Sequence, residues 1–164
     1  MIVQIITLIL LALMNGTALK NDVPYFENDS LIRNDLEIVW PLVQTVKIEY
    51  DLANAQLAFL ETKAEKDQFL KEFEEFIKKK YFKEVFKLNF EQGKLLILLI
   101  HKEIGKTAYE LLKEYRNISR ANFWNRMASM FGASLKEEYT SEQYPTLEMV
   151  VQEKQPTFIL LSSP

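Results

Sequence analysis

The chain has 164 residues, enough for one domain with a substantial core, and its 48% hydrophobic and 12% aromatic content excludes a disordered or fibrous polypeptide. Twenty basic residues against 23 acidic ones, a net charge of -3, give no general attraction for nucleic acid. The absence of cysteine excludes a disulfide, a thiolate metal site, a cysteine nucleophile and a lipidated cysteine.

The amino terminus reads as an export signal. No charged side chain precedes Lys20, and Ile2 to Met14 is almost continuously apolar. Such a run reaches only ~20 Å as a helix, short of a ~30 Å hydrocarbon core. Asn15, Gly16, Thr17 and Ala18 supply small residues suited to cleavage after Ala18. Residues 1–18 are therefore expected to be a signal peptide, with no transmembrane helix in the mature chain. Residues 19–36 are polar, contain Pro24 and show no sustained period, so they read as a flexible arm.

Helical periodicity begins at Glu37, with Pro41 tolerable in a first turn. Val39, Leu42, Val46, Tyr50, Ala53, Leu57 and Leu60 trace one face of the first helix. A second amphipathic stretch sets Phe69, Phe73, Phe76 and Ile77 on one face and charges opposite. It continues through Phe82 and Phe86, with a bend expected near Lys80. Phe90 to Glu103 is too apolar for a surface helix and should be the central one, ended by Gly105 in a left-handed conformation. Lys106–Arg116 is a further amphipathic piece. Ser119 is a natural N-cap for a helix carrying Phe123, Trp124, Met127 and Phe131 and ending at Gly132. A helical turn over Leu135–Tyr139, a last helix over Tyr144–Glu153 and a tail at 155–164 complete the chain. The sequence thus predicts an all-α fold, a single compact domain of about six helices around a central apolar helix, spanning 37–154.

His101, the only histidine, closes the apolar run Leu95–Ile100. Glu103 lies two residues on, pointing about 200° away on a helix, so the two cannot share a metal. No second histidine, HExxH, GxSxG, GxGxxG or Walker pattern exists, and no metal or cofactor is implied. His101 reads as a partly exposed residue at a helix end. The run Lys78–Lys80, with Lys83 and Lys87, reads as a solvated helical face.

Gln92-Gly93-Lys94 precedes the apolar run, followed by Glu103, Gly105, Thr107, Tyr109-Glu110-Leu111 and Lys113. Phe123-Trp124, Phe131-Gly132 and Leu135-Lys136 with Glu138-Tyr139 come after them. In these motifs the sequence resembles the DUF4294 family, exported proteins of Bacteroidetes with no assigned function, and the resemblance covers about residues 37–153. The family usually carries Asp at the position of His101 and Thr at that of Ile104. The resemblance therefore moves attention from His101 to a candidate polar cluster of Lys94, Glu103 and Tyr109. Phe123, Trp124 and Phe131 form a candidate core or interaction cluster, with Trp124 expected to be largely buried against the central helix. In such a bacterium Asp29-Ser30-Leu31 would also resemble an O-glycosylation acceptor. The expected function is that of an exported, non-catalytic binding module of the periplasm or cell envelope, with an unnamed envelope protein or ligand as partner. The alternatives are an envelope enzyme using the carboxylate, Tyr and Lys cluster, and a carrier of a small apolar ligand with the Phe stripe as its pocket.

Overall fold

The computed structural model describes residues 25–115, 118–130 and 132–154. Among them lie six α-helices: α1 (Asp29–Phe59), α2 (Lys63–Phe86), α3 (Phe90–Ile104), α4 (Ala108–Tyr115), α5 (Ile118–Met130) and α6 (Pro145–Lys154). A 3-10 turn at Tyr25–Glu27 precedes them, and no strand occurs among the described residues, so the architecture is all-α. The expected signal peptide and the tail at 155–164 fall outside the described residues.

Much of the expected arm is helix. Asn28 accepts the Leu31 N–H at 3.1 Å and starts α1 about two turns before Glu37. Ile32 and Leu36 are fully buried, continuing upstream the face that holds Val39, Val43 and Val46. Ser30 lies in this first turn, with its hydroxyl donating to Asn28 Oδ1 at 3.1 Å. Pro41 consequently sits inside α1 rather than at its start. It deprives the Glu37 carbonyl of an intrahelical donor, but on the exposed side of the helix water can replace it.

α1 packs chiefly along α3, whose Leu95, Leu96, Ile97, Leu98, Leu99 and Ile100 are all buried. Six successive buried residues cover the full circumference of a helix with 3.6 residues per turn. α2 starts at a capping box, Thr62 with Glu65, and continues unbroken through Lys80 to Phe86. It meets the body through Tyr81 and Val85 near its carboxyl end, with Leu88 just beyond. There Glu49 of α1, itself buried, accepts from the Tyr81 hydroxyl at 2.9 Å and from Lys80 at 3.0 Å. α6 lies on α1 through Leu147, Val150 and Val151, with Arg33 reaching both Asp29 and Glu153, and Lys154 paired with Glu37.

α5 packs on α4, and its fully buried residues are Ala121 and Ala128, seven apart and hence on one face. Their small side chains let the two helices approach closely. Ser119 lies within the first turn of α5 instead of capping it. The chain leaves α5 through Gly132 at φ 76°, and Leu135 is a fully buried plug in a loop. Residues 135–139 form a turn and irregular chain rather than the expected helical turn.

Leu98→Ala should cost ~2–5 kcal/mol, the range for a buried leucine. Phe123→Ala should stay within ~0.5 kcal/mol, because that ring is 56% exposed. Urea midpoints of the two variants check both values, and equal losses would contradict the packing.

Candidate functional site

The two ends of α3 carry the densest polar arrangements. At its start Asn89 and Gln92 form a capping box, with Asn89 Oδ1 accepting the Gln92 N–H at 2.9 Å and Gln92 Oε1 accepting the Asn89 N–H at 3.0 Å. The remaining Gln92 amide donates to Asp35 Oδ1 at 2.7 Å, and the Tyr25 hydroxyl donates to Asp35 Oδ2 at 2.8 Å. Burial, reinforced by Asp35, pushes the Tyr25 phenol well above the ordinary tyrosine range.

Beside this node opens a cleft of about 560 Å³ between the Tyr25–Glu27 turn, the first turns of α3 and the start of α6. Glu27, Glu91 and Glu142 bring carboxylates to it, Lys94 brings a cation, and Phe26 and Tyr144 pack edge to face at 5.1 Å. Burial raises the pKa of Glu91; Lys94 opposes that shift and Asp35 adds to it. Lys94 Nζ lies 5.4 Å from the centre of the Phe26 ring and 5.8 Å from that of Phe90, so its charge rests on aromatic faces. With carboxylates, an ammonium and aromatic rings in its lining, the cleft is suited to holding a polar ligand.

At the other end of α3, His101 and Lys102 meet the loop that leads to α6. His101 Nδ1 accepts the Tyr139 N–H at 2.9 Å, which assigns the ring proton to Nε2 when the imidazole is neutral. Lys102 pairs with Glu148 at 2.7 Å and lies over the Tyr139 ring at 4.6 Å. The Tyr139 hydroxyl also donates to Glu148, and Gln152 donates to its second oxygen at 2.7 Å. Burial alone would raise the Glu148 pKa. The hydrogen bonds from Lys102, Tyr139 and Gln152 together outweigh it and hold the value at about 2.

The three residues of the expected polar cluster do not meet. Lys94 and Glu103 are nine residues apart on α3, about 13 Å along its axis. Glu103 accepts from Lys47 of α1 at 3.3 Å, and the same ammonium reaches the Glu103 backbone carbonyl at 3.4 Å near the end of α3. Tyr109 belongs to a third place. Its N–H donates to the Leu135 carbonyl at 2.9 Å, its hydroxyl donates to Asn122 at 2.7 Å, and Lys136 lies over its ring at 4.5 Å. Each of the three ties one element to another.

The aromatic cluster also differs from expectation. Trp124 is half-buried and packs edge to face on the exposed Phe123 at 5.1 Å, while Phe131 lies outside the described residues. Because Ala121 and Ala128 occupy the contact face of α5, its aromatics are displaced to the side. The Tyr139–Glu148–Lys102 node went unnoticed in the sequence. Tyr139 was among the residues carrying the family resemblance, but its partner Glu148 lies on another element and no spacing connects them.

Two measurements test these arrangements. The depressed Glu148 pKa means stability that is fully present above about pH 4.5 and lost as the pH falls through the folded value of about 2. The full shift corresponds to on the order of 3 kcal/mol. Glu148→Gln should therefore flatten the decline in urea midpoint between pH 6 and pH 2.5, and an unchanged decline would refute the assignment. His101→Asn retains an acceptor near the Tyr139 N–H and should lose under ~1 kcal/mol, whereas His101→Leu strands that donor and should lose ~1–3 kcal/mol. Equal midpoints for the two variants would show that the hydrogen bond contributes nothing.

The arrangement can be set beside known proteins. Searches of curated proteins and of solved structures found no match. The sequence matches the family described as "Domain of unknown function (DUF4294)" over residues 15–153. That span takes in α1 to α5, all but the last residue of α6, both ends of α3 and the loop held by His101 and Tyr109, and the chain belongs to the DUF4294 family.

Proposed function

We propose that this protein is an exported, non-catalytic interaction module of the periplasm or cell envelope that binds another envelope component. The observation that carries the reading is the aromatic ridge of α2. Phe69 and Phe73 stack at 5.5 Å, Phe73 and Phe76 at 6.0 Å, and Phe76 is 48% exposed. This ridge lies on the part of α2 that precedes its anchoring turns at Tyr81 and Val85. Phe69 and Phe73 are half-buried against the body and Phe76 stands out from them, so the ridge offers a partner an aromatic surface with one exposed ring at its end. Export rests on the uncharged apolar start of the chain and its small residues up to Ala18. The dispersal of Lys94, Glu103 and Tyr109 into three structural ties weighs against a catalytic role for that cluster.

Two experiments on the full chain in its source cell test the reading. Protein recovered from the envelope fraction should begin near Leu19, and intact Met1 in the cytosolic fraction would overturn export. A photo-crosslinking residue at position 76 should capture an envelope component. Phe73→Glu with Phe76→Glu should abolish a capture reported from Lys79, while the far-ultraviolet circular dichroism is unchanged. Capture undiminished by those changes would remove the ridge as the binding face.

A further inference from the structure

The buried face of α1 does not exhaust its apolar positions. Ile38, Pro41, Thr45, Ile48, Leu52, Ala55 and Phe59 follow one another at alternating spacings of three and four, the a and d positions of three heptads. This series lies opposite the face that holds Val39, Val43, Val46 and Ala53 against the core. It faces outward. Ile38 is 52% exposed, Ile48 57%, Leu52 60% and Phe59 81%, and Pro41 and Ala55 are exposed as well. Thr45, the one polar member, donates its hydroxyl to the Pro41 carbonyl at 2.8 Å, so it makes no polar demand outward.

We propose that this seam joins two copies of the chain as an antiparallel pair of α1 helices about a two-fold axis. A seam with a 3.5-residue repeat is complementary to another helix of the same repeat, and α1 itself supplies one of matching length. Antiparallel alignment with the axis between Thr45 and Ile48 sets a against d in every layer. Ile38 then faces Ala55, Leu52 faces Pro41 and Ile48 faces Thr45, so in these layers each large side chain meets a smaller one, and Phe59 lies at the margin opposite Asn34. A parallel pair would instead stack Leu52 on Leu52, Phe59 on Phe59 and Pro41 on Pro41. The flanking positions agree with the antiparallel register. Gln44 faces Asp51, Glu37 faces Ala58 and Leu42 faces Glu49, so no like charges oppose each other. Glu49 is in any case held within its own chain by Lys80 and Tyr81.

The paired layers run from Ile38 to Ala55, about 25 Å of helix, and Ile38, Ile48 and Leu52 within them are all more than half exposed in the single chain. This goes beyond the proposed function, because it uses α1 and leaves the aromatic ridge of α2 to the envelope partner.

The protein as recovered from its source cell should show a mass in sedimentation equilibrium that rises with concentration toward twice that of a single copy. Leu52→Glu with Phe59→Glu should return it to a monomer with unchanged circular dichroism. A monomer at every concentration, or a dimer that survives both changes, would overturn the proposal. Orientation is read by disulfide formation, since the chain has no cysteine of its own. Ile38→Cys and Ala55→Cys chains should cross-link when mixed, and Ala55→Cys alone should not, its two copies lying about 25 Å apart. Self-cross-linking of Ala55→Cys without the mixed product would overturn the antiparallel arrangement.

Discussion

Leu95 to Ile100 are buried on every side of α3, and this condition dictates how the rest of the chain is arranged. A helix enclosed along its middle can satisfy its terminal backbone groups with solvent only if its ends emerge, and those of α3 are themselves partly covered. Side chains must therefore supply the missing partners. Asn89 and Gln92 do so at the start. At the finish Gly105 adopts φ 74° and returns its N–H to the His101 carbonyl at 2.8 Å, while Lys47 reaches the Glu103 carbonyl. Covering a six-residue apolar stretch completely also requires neighbours on several sides. The extension of α1 back to Asp29 and the plug at Leu135 contribute to that cover.

Several residues that carry the family resemblance are accounted for by this requirement. Gln92 is both a cap and the donor to Asp35, and Thr107 with Glu110 forms a further capping box that starts α4. Gly105 reverses the chain between these helices, and Tyr109 fastens the loop containing Leu135. The stretch from Gln92 to Glu110 therefore reads as a set of joints around a buried helix. These residues face different neighbours along α3 and α4.

Helix periods were legible because they are local. The central run, the left-handed Gly105 and the helices from Phe90 to Tyr115 follow from spacing alone. Pairings between elements were not legible. Asp35 with Gln92, Lys47 with Glu103, and Glu148 with Tyr139 connect residues whose separation in sequence carries no signal. Pro41 misled for a different reason. Proline favours a first turn, and this weak local preference was set against Ile32 and Leu36, whose burial stabilises the longer helix more strongly. In α5 the fully buried positions are Ala121 and Ala128, while Trp124 packs half-buried against the core from the side and Phe123 is exposed, a division that apolar periodicity alone does not reveal.

α1 brings these levels together, because its positions divide into three functions around one circumference. Val39, Val43 and Val46 point into the core, and Lys47, Glu49 and Tyr50 stand at its margins. Lys47 ties the end of α3 and Glu49 ties α2, each by a charge-assisted hydrogen bond that fixes the helix against rotation about its axis. Without those lateral ties a helix with apolar residues on two opposite faces could turn either one inward. Glu49 makes the alternative costly: turning the outer seam into the core would separate its buried carboxylate from Lys80 and Tyr81, leaving a charge without its partners. The polar residues at the margins thus select which apolar face is core, and the face left outside is the one free to meet another molecule.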